Sequence, residues 1–128
     1  MGLFSIFKKK PDYSVPWPDV VKRTFDENHE IHEILQKFAD GRINAHEIDP
    51  KWWDESTAKH KAMLAELETE LNQLQSRLHY HKTAKDKAAV HVDEQQIFYV
   101  KDQIQDIKSS MKSLTQCRQV WKYQIGHS

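Results

Sequence analysis

Histidines and carboxylates are the residues of this chain best suited to chemistry. Eight histidines occur in 128 residues, and the densest group is Asp26, Glu27, His29, Glu30, His32 and Glu33. On a helix, His29 and Glu33 lie four residues apart on one face with His32 beside them, an arrangement that can supply metal ligands. The spacing departs from the known solutions. His29 and His32 are three apart with the acid between them, whereas the HExxH helix of metalloproteases sets its histidines four apart. Glu30 is followed three residues later by Glu33, so the Glu-x-x-His pair of carboxylate-bridged bundles is missing as well. The expectation is a solvated polar face. A metal-binding helical bundle using His29, His32, Glu33 and nearby histidines stands as the alternative.

A second group, His79, His81 and His91 with Lys82, Lys85 and Lys87, is basic. It suits phosphate or an acidic partner, but Asp86, Asp93 and Glu94 dilute its charge. Tyr80 is its one interleaved aromatic, too few for a base-stacking surface. Over the whole chain 19 basic residues balance 19 acidic ones, which leaves no global field to recruit nucleic acid. Cys117, the single cysteine, excludes an intramolecular disulfide and carries no signature of an activated thiol. Gly2, Gly41 and Gly126 stand too far apart to form a phosphate loop. The chain is therefore expected to be no enzyme, with no cofactor and no small-molecule substrate.

Helices must position these side chains. Only three glycines and four prolines occur, too little punctuation for a sandwich or barrel, and 38% apolar with 30% charged residues suits one highly solvated all-α domain. Val20, Val21, Phe25, Ile31, Ile34, Leu35 and Phe38 recur at three- and four-residue steps, predicting a helix over about 19–40 that Gly41 ends. Asp49 and Pro50 provide an N-cap and a first helical residue for the next.

Leu64, Leu67, Leu71, Leu74 and Leu78 then follow the heptad a/d pattern, as do Ile97, Val100, Ile104, Ile107, Met111 and Leu114. Folding one run onto the other sets Leu78 opposite Val100, Leu74 opposite Ile104, Leu71 opposite Ile107, Leu67 opposite Met111 and Leu64 opposite Leu114. Every layer is then apolar. The expected architecture is a long antiparallel coiled-coil hairpin of about 50–88 and 93–125, turning near Ala89, with Asp93 and Gln96 as the capping box of the returning helix.

Continued outward, this register sets His60 opposite Arg118, Thr57 opposite Trp121 and Trp53 opposite Ile125. Such bulky, polar layers need more cover than one partner, so the first helix is expected to pack on the open end through Ile31, Leu35 and Phe38. The stalk would then leave Phe98 and Tyr99 exposed as a partner surface or homodimer contact, with Tyr80, Lys82 and Lys85 at its tip. His60 reads most simply as a tolerated polar seam residue. The sharper expectation is that protonation of His60 and His81, near the ordinary histidine value of about 6.5, loosens the seam.

Residues 1–10 read MGLFSIFKKK, and residues 11–18 hold three prolines that favour an extended linker. The expected division is thus an arm and linker over 1–18 and a helical domain over 19–128. Leu3, Phe4 and Phe7 share a helical face with Ile6 beside it, and Lys8, Lys9 and Lys10 follow. Partial burial of the four apolar side chains is worth about 4–6 kcal/mol and each lysine near an anionic leaflet about 1 kcal/mol, enough for reversible attachment to a membrane. Ile6 stands where N-myristoylation requires Ser or Thr. Over these ten residues the chain resembles the apolar, lysine-terminated starts of peripheral inner-membrane proteins such as the phage shock protein family, and the resemblance implies membrane attachment only.

Residues 3–7 are too short for a signal-peptide core, and no run approaches the roughly 18 apolar residues of a membrane span. The expected location is the cytoplasm, at the inner face of a membrane where the arm attaches. The expected function is that of an adaptor, inhibitor or assembly subunit. Its partner would be a protein, a second copy included, or the anionic membrane surface, and not nucleic acid.

Overall fold

The computed structural model describes residues 12–127, and every regular element among them is helical. Helix α1 (Asp19–Ala39) is followed by a 3₁₀ turn (Ala45–Glu47), helix α2 (Pro50–Thr83) and helix α3 (Lys87–Gly126). The predicted start signals operate: Asp49 accepts a hydrogen bond from the Lys51 amide (2.9 Å) and Pro50 opens α2. The end of α1 is a Schellman turn on Gly41 (φ 78°), with its N–H on the Phe38 carbonyl (3.1 Å) and that of Arg42 on Lys37 (2.8 Å).

Helices α2 and α3, with 34 and 40 residues, are about 50 and 60 Å long at 1.5 Å per residue. His81 meets Asp93 beside their connection and Trp53 meets Trp121 at the far end, so the two run in opposite directions. Helix α1 runs alongside both. Thr24 touches Gln103 and Asn28 touches Ser110, a course parallel to α3. Arg23 pairs with Glu66 and Asn28 reaches His60, a course opposite to α2. The result is a three-helix bundle.

The turn and register differ from expectation. The connection is residues 84–86 rather than a turn near Ala89, α2 ends at Thr83 and α3 already begins at Lys87. A second Schellman turn closes α2, with the Lys85 N–H on Lys82 (3.1 Å) and that of Asp86 on His81 (3.0 Å). Asp86 then caps α3 through the Ala89 amide (3.2 Å). Asp93, expected as a cap, lies inside α3 and is buried. Its carboxylate accepts from His81 Nδ1 (2.5 Å) and pairs with Arg77 Nε (3.5 Å). The pairing slips accordingly by about one helical turn: Trp53 faces Trp121 instead of Ile125, and Arg118 pairs with Asp54 (2.9 Å) instead of opposing His60. The Asp86 cap and the burial of Asp93 against His81 and Arg77 together go with this pairing.

The core is wider than a two-helix seam. Leu67 and Leu74 are fully buried, whereas Leu64, Leu71 and Leu78 of the same repeat are only partly buried and Met63 is buried in their place. Helix α1 causes this, because it packs on one flank of the pair and draws the centre of burial toward itself. Leu35 and Phe38 join Trp53, Leu114 and Trp121 in a cluster at the open end, as expected of that face, but Ile31, Val20 and Val21 extend the cover far up the pair. Trp53 sits within 5.0 Å of Trp52, 5.6 Å of Trp121 and 6.2 Å of Phe38, ring centre to ring centre. The Trp121 indole N–H donates to the Ala45 carbonyl (2.8 Å), fastening the 3₁₀ turn to this cluster. Among the described residues, no helix is long and apolar enough to cross a membrane.

Candidate functional site

Residues 12–18 are not a free linker; they lie along α3 toward its N-terminal end. Asp12 and Ser14 form a local turn first. The Asp12 carboxylate accepts from the Ser14 amide (3.0 Å) and hydroxyl (2.6 Å), and the Val15 amide returns to the Asp12 carbonyl (3.1 Å). That turn then docks on three residues of α3. Gln95 accepts from the Asp12 amide (2.8 Å), Tyr99 donates its hydroxyl to the Asp12 carbonyl (2.8 Å), and His91 Nε2 donates to the carboxylate (2.6 Å). Hydrogen bonds from Ser14, then from His91, hold the Asp12 carboxyl down at about 2. Val15 and Pro18 are buried, and the Trp17 ring lies 6.1 Å from that of Tyr99.

This clasp alters the expected interaction surface. Tyr99, expected to be exposed, is 6% exposed because the arm covers it. Burial, and then the Asp12 charge, raises its hydroxyl above the ordinary tyrosine value. Phe98, its neighbour, points outward and stays exposed. Tyr80, Lys82 and Lys85 are exposed at the tip, and Lys85 adopts the left-handed conformation (φ 59°) that the turn requires. Among the described residues none of Lys82, Lys85 and Lys87 is engaged in an ion pair. Together with Val90, His91 and Glu94 they line an open groove of about 490 Å³. Leu3, Phe4, Ile6, Phe7, Lys8, Lys9 and Lys10 lie outside the described residues.

The histidine groups are separated. His29, His32 and Glu33 are exposed on α1, and among the described residues no three of His, Cys, Asp and Glu come together as a metal would need. His60 is 0% exposed and makes two contacts, Nδ1 to the Ser56 carbonyl (2.7 Å) and Nε2 to the Asn28 side chain (3.1 Å). Asn28 in turn reaches Ser110 (3.0 Å), so His60 ties all three helices together. Cys117 is half-buried, and burial pushes its thiol up, away from the reactive thiolate.

Sequence reasoning missed the clasp. A signal was present in the Asp-x-Ser spacing of Asp12 and Ser14, which favours a side-chain-closed turn over a flexible tether. Its docking partners, Gln95 and Tyr99, lie more than eighty positions away and carry no local mark. Compared with known proteins, the chain matches no family model, no curated protein and no solved structure.

Proposed function

We propose that this chain is a non-enzymatic interaction protein in which α2 and α3 act as an antiparallel coiled-coil hairpin and the N-terminal arm tethers it to an anionic membrane surface or a larger complex. The observation that carries this reading is the position of Asp12. Its bonds to His91 and Gln95 set the first described residue near the hairpin tip, where His91 lines a groove with the unpaired Lys82, Lys85 and Lys87. The arm is covalently joined to the bundle at Asp12, the end that carries these lysines, which supports a joint action of arm and tip. Each lysine brought to an anionic leaflet adds about 1 kcal/mol, so the tip strengthens what a short apolar anchor begins.

Flotation with lipid vesicles tests this. The full chain is expected to float with phosphatidylglycerol vesicles at low salt, to bind phosphatidylcholine vesicles weakly, and to be released by high salt. Deleting residues 1–10 should abolish flotation with helicity unchanged, and Lys82→Glu with Lys85→Glu and Lys87→Glu should weaken it. Full flotation by the deletion variant would overturn the role of the arm. No flotation by the full chain would exclude the membrane as its target and leave the protein complex, which a pull-down dependent on residues 1–10 would then have to reveal.

A further inference from the structure

Where the proline segment meets α1 and α3, away from the tip, lies a cavity of about 210 Å³ walled by Trp17, Phe25 and Tyr99. The Trp17 ring stands edge-on to Phe25 at 5.5 Å and tilted toward Tyr99 at 6.1 Å. Tyr99 is held in place by its hydroxyl, whose proton goes to the Asp12 carbonyl. Asp102 and Asp106, one helical turn apart on α3, complete the wall. Neither carboxylate has an ion-pair partner among the described residues. Burial first, and then the charge of Asp102, raises the Asp106 carboxyl above its ordinary value.

The polar group most deeply set in this wall is Gln103, 3% exposed. The Thr24 hydroxyl gives its proton to the Val20 carbonyl (2.7 Å) and is left to accept from Gln103 Nε2 (3.3 Å), which settles which way the amide points. Among the described residues nothing donates to the remaining Gln103 oxygen. The cavity thus offers two carboxylates, the amide oxygen of Gln103 and aromatic rings, all electron-rich, while its one hydroxyl donor is already committed. Such a wall is unfavourable for an anion and unsatisfied by a neutral apolar group. It matches a cation that also presents apolar surface.

We propose that this cavity binds an organic cation, the alkylammonium or guanidinium head of a free small molecule or of a basic side chain on a partner. The test is an NMR titration of the full chain, following the Trp17 indole and Gln103 side-chain amide signals. Its probes are choline, ethylguanidinium, the uncharged choline isostere 3,3-dimethyl-1-butanol, and short peptides with one central lysine or arginine. Choline or ethylguanidinium should shift both signals and bind at least about tenfold more tightly than the isostere. Asp102→Asn with Asp106→Asn, which preserves shape, should weaken cation binding about tenfold or more, as should Phe25→Leu. Acidification through the carboxylate range should weaken it likewise.

Tighter binding of the peptides than of the free ions would assign the cation to a partner protein, and equal binding to a small molecule. Equal affinity for choline and its isostere, unchanged binding in the doubly substituted chain while its circular dichroism shows it folded, or no shift at Trp17 would each overturn the proposal. None of these readouts depends on residues 1–10, so the outcome is separable from the membrane test.

Discussion

Asp106 is an acid whose surroundings oppose its charge, since partial burial and Asp102 both raise its carboxyl in the folded chain above the ordinary 3.8. A carboxyl raised on folding binds its proton more readily in the native state. Its contribution is therefore fully present below pH 3.8 and is lost as pH rises through the folded value. At pH 7 the ionised group opposes folding, so Asp106→Asn should unfold at a higher temperature than the parent, and the gain should vanish below about pH 4. Thermal melts followed by circular dichroism at the two pH values check this; a gain that persists unchanged in acid would mean that the charge is not its cause. Asp12 has the opposite sign. Its carboxyl is lowered to about 2 by Ser14 and His91, so its contribution to the clasp is present above pH 3.8 and is lost as pH falls toward 2. Ser14 beside Asp12 and Asp102 beside Asp106 are local in the sequence, whereas the bond from His91 and the walls around Asp106 come from distant segments and were not legible.

The element that decides the register is the turn at residues 84–86. Its caps require a left-handed residue at Lys85 (φ 59°), where a side chain costs about 1–2 kcal/mol and glycine is free of that penalty. Lys85→Gly should therefore raise stability by about 0.5–1 kcal/mol, after the greater freedom of glycine in the unfolded chain is subtracted. The urea midpoint should rise with an unchanged slope. A fall would show that Lys85 makes contacts worth more than its strain. Helix positions and one start signal, Asp49 with Pro50, were readable because capping is a local matter of a few adjacent residues. The turn itself was misread. Asp86 and the Asp93/Gln96 pair both satisfy capping rules, and the competition is settled by burial of Asp93 against His81 and Arg77, a contact between helices.

Across the molecule, α1 and the arm turn a pair of helices into a bundle covered on one flank. Leu67 is fully buried under this cover, while Leu78 near the tip is only partly buried. Leu67→Ala should cost about 3 kcal/mol and Leu78→Ala about 1 kcal/mol, although the heptad pattern treats them as equals. Equal losses in chemical denaturation would mean that the third helix adds no cover at Leu67. The same asymmetry explains why Tyr99 is hidden and Phe98 is not. They are adjacent on α3 and differ in which flank they face.

The amino-acid sequence by itself determined an all-helical chain, the span of α1, the start of α2 and the covering face of Ile31, Leu35 and Phe38. These follow from periodicity and caps, which act within a turn or two of helix. Only the tertiary structure decided the register of α2 on α3, the burial of Tyr99 under residues 12–18, and the convergence of Trp17, Phe25, Asp102 and Asp106. Heptads recur, so several registers bury comparable apolar surface. The choice among them falls to contacts such as His81 with Asp93 and Arg118 with Asp54, made by residues that the chain brings together only when it folds.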